Sequence, residues 1–327
     1  MLSYLIRRIV YMIPMLLIIS IISFVIIQLP PGDFLTSYVM QLKESGTEVS
    51  EAQIASLKKQ YGLDKSLYAQ YFFWLFRLLR GDMGRSLQWN LPVRTLIGER
   101  LALTITITLF SLIITWLMAI PIGIYSALHQ YSIFDYITTF IGYIGISVPN
   151  FLLALIIMYF TYVYFGISVT GLFSPQYAIA PWSWAKFVDM MRHIWVPVII
   201  IGVSGTCGLI RVMRGCLLDE LRKPYVITAR AKGVPEWELL FKYPIRIAIN
   251  PIVSTIGWTL PGLISGETIT AIVLSIPTTG PLLFRALQSQ DMYLAGSFVM
   301  LLSFFTLIGT LISDILLVWV DPRVRYE

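Results

Sequence analysis

Gly202, Val203, Ser204 and Gly205 are the residues of this 327-residue chain that come nearest to a nucleophile motif. They fit the Gly-x-Ser-Gly pattern of serines that cut peptides inside membranes. A serine hydroxyl attacks only when a base takes its proton. The two histidines, His129 and His193, fall at the edges of predicted loops, and neither lies in the last apolar run. Small residues in that order also let membrane helices pack closely, and packing is the better account. Two distant histidines with no Cys or carboxylate at ligand spacing leave no zinc site. No Gly-x-x-x-x-Gly-Lys-Ser/Thr loop is present, so the chain holds no nucleotide by that device. Glu267 is different. It follows Gly266 inside an apolar run, where an ionisable group is costly and is a functional candidate by default. A structural hydrogen bond to a neighbouring helix explains it equally well. Asp314, nearer the end of its run, is expected to pair locally with Arg211 or Arg214.

The elements that must position these groups are membrane helices. Of the residues, 57% are hydrophobic and 13% charged, against about a quarter charged in soluble domains. The apolar runs reach the roughly 20 residues that a helix needs to cross a bilayer. They are too long for barrel strands of about 10 residues. Lipid offers the backbone no hydrogen-bond partner, so each run must be helical. The chain is therefore expected to be an all-α integral membrane protein with about six transmembrane helices, near 9–29, 101–128, 136–165, 194–216, 248–274 and 294–320. The first run is too long for a signal-peptide core and lacks a small-x-small cleavage site. Cys207 and Cys216 share one run, about 13 Å apart along a helix, and cannot form a disulfide.

The formal charge of +6 comes from Lys and Arg beside the spans, where insertion rules place them, so no nucleic-acid partner is expected. With both termini inside, twelve basic residues fall on the inner side and three (Lys186, Arg192 and Arg285) on the outer side. The remaining nine lie in 30–100, a segment too long for the rule. This places the termini in the cytoplasm and makes 30–100 an external loop domain. Within it, 51–61 is helix-like. Leu67, Tyr71, Trp74, Leu75, Leu78 and Leu79 repeat at three and four residues, an amphipathic pattern. Trp182, Trp184 and Phe187 read as interfacial anchors. Pro121 with Gly123, Pro149 after Gly145, and Pro261 with Gly262 mark kinks, which survive in lipid only where protein or a water-filled path satisfies the freed carbonyls.

The most informative segment is the basic loop 219–246. Residues 225–232 predict a short helix that stops at Gly233, and Val234-Pro235 a fresh start with proline near the first turn. Trp237, Leu240 and Phe241 then form an apolar face. Two short helices joined at a glycine make a rigid protrusion suited to a partner's groove. Charge alone would equally describe a solvated basic loop.

This segment resembles the Glu-Ala-Ala loop of bacterial ABC-importer permeases, in which those three residues are followed by three more and then Gly. Ile227-Thr228-Ala229 and Gly233 occupy those places. Residues 225–233, Tyr-Val-Ile-Thr-Ala-Arg-Ala-Lys-Gly, are similar to the dipeptide/oligopeptide/nickel permeases in particular. Residues 61–64, 80–86, 92–93 with 99–101, 147–151 and 321–325 agree in consistent order, so the resemblance covers the chain from its first span to its end. The first permease of a pair, which carries the long external loop, is the member it looks like.

The resemblance implies 1–29 as N-terminus and first helix, 30–100 as external loop domain, and 101–327 as a permease core of five helices. Within that core, 219–246 would be the cytoplasmic coupling loop. It implies a homologous second permease, two ABC ATPase subunits, an extracytoplasmic solute-binding protein and the lipid bilayer as partners. The location would be a bacterial or archaeal cytoplasmic membrane. ATP and magnesium would sit on the ATPases, with no cofactor or metal on this chain and no catalysis by it. Thr228, Ala229, Arg230, Ala231, Lys232, Gly233, Val234, Pro235, Glu236 and Trp237 would engage the ATPase. Gly233 would permit the turn, and Ala229 and Ala231 would allow close approach. Ser147, Pro149, Asn150 and Glu267 are pathway candidates. The chain departs from the family in 271–274, where Glu-x-Val-Phe is usual, and in 277–281. Short peptides are the expected solute, with oligosaccharides or a nickel complex as variants. A secondary transporter running alone on an ion gradient is the competing class; no internal duplication supports it.

Overall fold

A computed structural model describes residues 2–29, 56, 58–59, 64–254 and 268–320. The helices in chain order are α1 Leu2–Gln28, α2 Leu67–Leu79, α3 Val93–Leu128, α4 Ile133–Ser147, α5 Asn150–Phe165, α6 Pro175–Ala178, α7 Trp184–His193 and α8 Trp195–Leu221. They continue as α9 Pro224–Ala231, α10 Glu236–Lys242, α11 Pro244–Ala248, α12 Asn250–Ser254, α13 Thr268–Val273, α14 Thr279–Gln288 and α15 Met292–Val320. Among the described residues there is no extended strand, only an isolated bridge between Arg85 and Pro92. The all-α expectation holds.

Four helices, within α1, α3, α8 and α15, are long and apolar enough to cross a bilayer. The expected continuous span 136–165 is instead two helices, α4 and α5, meeting at 101°. Proline is the cause. Pro149 has no N–H to donate and pushes the residue before it out of the helical region; Val148 accordingly sits at φ −86°, ψ 120°. Of the expected span 248–274 only the ends, α12 and α13, are described, and Pro261, Gly262, Gly266 and Glu267 lie outside the described residues. Residues 51–61 are described only at 56 and 58–59, and 321–327 not at all.

The chain divides into two compact units, residues 1–103 with 278–307 and residues 104–277 with 308–327. In the first, α2 packs on α1. Tyr71 Oη lies 2.8 Å from Ser20 Oγ, and Phe24 meets the Tyr71 ring edge-on at 5.3 Å. Trp74 and Leu75 are buried, whereas Leu67 and Leu79 of the expected apolar stripe are exposed. The buried line is narrower than the sequence pattern. Asp82 anchors the turn after α2 by pairing with Arg77 at 2.7 Å and accepting the Gly84 N–H. Those two partners hold its carboxyl below the ordinary value. Gly84 has φ +78°, and a Cβ there would lie 2.8 Å from the Tyr293 ring, so glycine is required twice over. Asp291 is fully buried and accepts from Ser86 Oγ at 2.5 Å, Gln88 N at 3.2 Å and Leu294 N at 3.1 Å. It caps α15 and fixes residues 86–88 with one carboxylate. Burial pushes that carboxyl up against the pull of these donors.

In the second unit, α8 is the central helix. Gly145 of α4 sits on Cys207, where a Cβ would come 2.4 Å from the sulfur, and a Cβ on Gly123 of α3 would come 2.8 Å from that of Met213. Buried hydroxyls of α3 bond to carbonyls of α8, Ser111 to Val198 at 3.4 Å and Thr115 to Gly202 at 3.3 Å. Small residues and hydroxyls at helix contacts are the usual means of packing in lipid, where apolar attraction between helices is weak. Asp135 of α4 is buried and takes a two-pronged bond from Arg214, Nε–Oδ1 2.7 Å and Nη2–Oδ2 2.8 Å. Ser126 and the Tyr131 N–H also donate to it. Arg214 is thus committed to Asp135 rather than to Asp314. Between α5 and α8, Lys186 is buried, donating to the Ala180 carbonyl at 2.6 Å with its ammonium over the rings of Phe173 and Trp182.

Candidate functional site

Residues 219–248 form a compact knob on the end of α8. Its base is a cluster of Val226, Leu239, Leu240, Ile245, Ala248 and Ile252 packed with Met213 and Leu217 of α8 and Ala127 of α3. Five of these residues are exposed to less than 1%. The knob is therefore seated on α3 and α8 by core-like packing. The bland reading as a solvated basic loop fails at this base, because a solvated loop has no such core.

The helices of the knob begin and end where local chemistry dictates. Pro224 occupies the first turn of α9, where its missing N–H costs nothing. At the other end Gly233 has φ +78°. Its N–H bonds to the Arg230 carbonyl at 3.0 Å, and the Val234 N–H reaches back to Ala229 at 3.3 Å. These two bonds, with a left-handed glycine between them, make a Schellman motif. The predicted stop at Gly233 is met, and Val234 and Ala229 supply its apolar contact by packing on the knob's core. Pro235 is the N-cap of α10 rather than its first residue. Where sequence reading had two short helices, the structure has three, because Pro244 opens α11 after Tyr243.

Across the Gly233 turn, Arg230 grips Glu236 with two bonds, Nε–Oε2 3.1 Å and Nη2–Oε1 2.5 Å. The side-chain bond holds Glu236 below its ordinary pKa and Arg230 above. Both are about half exposed, so the pair orients the turn more than it stabilises the fold. Glu236 and Glu238 lie in the first turn of α10 and Lys242 in its last, matching the helix dipole.

The expected apolar face of Trp237, Leu240 and Phe241 divides. Leu240 turns into the core, while Trp237 is 73% and Phe241 47% exposed, their rings 4.3 Å apart. Ile227 on α9 is also exposed. Thr228, Arg230, Ala231, Lys232, Gly233, Pro235 and Glu236 are exposed beside them, and Ala229 and Val234 are half-buried. Of the two alanines, Ala231 alone is fully offered to a partner.

Three of the four pathway candidates, Ser147, Pro149 and Asn150, lie at the α4–α5 break. Ser147 is exposed and donates to the Tyr143 carbonyl at 2.8 Å; Pro149 caps α5 and its carbonyl accepts the Leu152 and Leu153 N–H groups; Asn150 is half-buried. Glu267 lies outside the described residues. Neither histidine serves Ser204 as a base: His129 turns to the Tyr125 carbonyl and His193 to that of Asp189. Sequence reading missed Asp135. Ser132, three residues ahead of it and accepting its N–H at 3.2 Å, is the N-cap spacing that marks it.

Comparison with known proteins gives the family. Residues 119–326 match the family described as binding-protein-dependent transport system inner membrane component, and residues 1–108 match the N-terminal family of the same systems. The oligopeptide transport system permease protein AppB of Bacillus subtilis is 33% identical over the whole of both chains. The dipeptide transport system permease proteins DppB of Alkalihalophilus pseudofirmus and of Escherichia coli are 30% and 27% identical, again over the full length of both chains. The matches run from the first helix to the end of the chain and include both the broken helix and the knob. The chain therefore belongs to the inner-membrane permease family of binding-protein-dependent ABC importers.

Proposed function

We propose that this chain forms half of the translocation pathway for short peptides. A homologous permease supplies the other half, a solute-binding protein outside the membrane delivers the solute, and two ATPases grip residues 219–248 from the cytoplasm. Both termini and the knob then lie inside. The 30–100 segment lies outside, and 101–327 is the permease core. ATP and magnesium sit on the ATPases. The observation that carries this reading is the knob's exposed Ile227, Trp237 and Phe241, held on a base that packs on α3 and α8. An apolar, aromatic surface on a rigid mount is what a docking partner buries. Closure of the ATPases moves the knob, and α3 and α8 follow. Each nucleotide state must contact the knob differently, since a partner shifts an equilibrium only by its differential affinity. Ser147, Pro149 and Asn150, at a break where backbone groups need polar partners, border the pathway.

The relatives named for oligopeptides and dipeptides support a peptide solute. Copurification from membranes tests the assembly: the chain is expected to bring with it ATPase subunits and to support ATP-dependent uptake of di- to pentapeptides in liposomes when the binding protein is added. Gradient-driven uptake by the chain alone overturns the reading.

A further inference from the structure

Between α4 and α8 lies a cleft of about 340 Å³. Thr138, Thr139, Tyr143, Arg211, Arg214 and Gly215 line it. Its two guanidinium groups differ. Arg214 is neutralised by Asp135. Arg211 is exposed, with its guanidinium 5.8 Å from the Tyr143 ring. Among the described residues no carboxylate lies within ion-pair distance of it. The cleft so keeps one uncompensated positive charge. Thr138 spends its hydroxyl hydrogen on carbonyls of its own helix, whereas Thr139 makes no hydrogen bond among the described residues and its hydroxyl is free to donate. Along α4 beside the cleft, Tyr136, Phe140 and Ile144 are exposed at intervals of four residues. They form an apolar ridge about 12 Å long.

We propose that this cleft binds the phosphate of an anionic phospholipid, with Arg211 as its cation and an acyl chain along Tyr136, Phe140 and Ile144. The inference rests on the orientation proposed above only for the leaflet. Arg211 is ten residues, about 15 Å, from the Leu221 end of α8, which then faces the cytoplasm. Basic pockets between membrane helices on that side suit acidic headgroups. The pairing is chemically specific. Guanidinium and threonine hydroxyl both donate to phosphate oxygens, and the adjoining ridge takes hydrocarbon, which a free phosphate does not offer.

The test uses the assembled importer in mixed micelles holding equal mole fractions of phosphatidylglycerol and phosphatidylcholine, with retained lipid counted by native mass spectrometry. Wild type is expected to prefer phosphatidylglycerol about fivefold, the worth of one basic residue at an acidic surface. Arg211→Gln should lose that preference, and Arg211→Lys should keep it. Equal retention of the two lipids by wild type overturns the proposal, and needs no variant to fold. So does an unchanged preference in Arg211→Gln. If that variant instead takes up C-terminally amidated peptides normally and free-acid peptides poorly, with lipid retention unaltered, the cleft holds the solute's carboxylate and not a lipid. Retention in micelles does not depend on which face is inside, so a failure of the orientation leaves this result readable.

Discussion

Single residues in this chain act through a few buried polar contacts. Asp135 and Arg214 join α4 to α8, and removing one partner strands the other's charge, at a cost of about 3 kcal/mol at the lower end for buried pairs. Asp135→Ala should lower the melting temperature of the purified protein clearly, and Asp135→Ala with Arg214→Met should recover much of that loss. Equal melting of the single and double variants would show that the pair is not coupled. Little of this was legible beforehand. A lone acid between Ser132 and a run of aromatics carries no signature of its partner, 79 residues further on. The sequence pattern did place an arginine near a carboxylate at this end of α8, but it chose Asp314. Charge and hydropathy give depth along a helix and are silent about which neighbour stands opposite. Lys186 makes the same point. Counted as a loop charge, it is buried under two rings, its charge met by a carbonyl and by π faces.

At the scale of elements, local chemistry was the better guide. Gly233 was readable as a helix stop because only a left-handed residue closes a Schellman motif cheaply, and the break at Pro149 was readable as a kink. Its size was not, because proline dictates that the helix stops and the packing around it decides where the chain goes next. Leu240 parts from Trp237 and Phe241, with which the sequence groups it, for a related reason. In a helix of seven residues one apolar face cannot be told from two adjacent ones. Gly233 also yields a prediction with an internal control. A Cβ at that position meets nothing within 4 Å, so substitution strains the backbone without a clash, at about 1 kcal/mol or more. Gly233→Val should insert normally and lose uptake while the bound ATPases still hydrolyse ATP. Gly233→Asn, which tolerates the left-handed region, should retain most uptake. Equal uptake in all three forms would remove Gly233 from the coupling role.

For the whole molecule, the all-helical membrane class is legible from apolar length; of the six expected spans, four are single long helices among the described residues and one is a bent pair, and the division into units is not legible in the sequence. Hydropathy sees the α3 and α15 spans as single objects, although the first unit takes residues 1–103 and 278–307 and the second takes the rest. Orientation is testable at this scale. In a background with Cys207 and Cys216 replaced by Ala, Lys232→Cys should react with a membrane-impermeant maleimide only in inverted vesicles. Trp184→Cys, at the exposed start of α7, should react only in right-side-out ones. The opposite pattern would place the knob outside and detach it from any cytosolic motor.

The carboxylate at Asp291 sets an order of events during synthesis. Ser86 and Gln88 are made early, yet the group that receives their hydrogens is some two hundred positions later in the chain. Contacts of such separation form late. Until the last long helix has left the ribosome and entered the bilayer, Ser86 and Gln88 lack the carboxylate that receives their hydrogens, and the turn that leads to them is held from one side only. A nascent chain halted before Asp291 should therefore be cut readily by protease at residues 80–92, and the completed chain should resist.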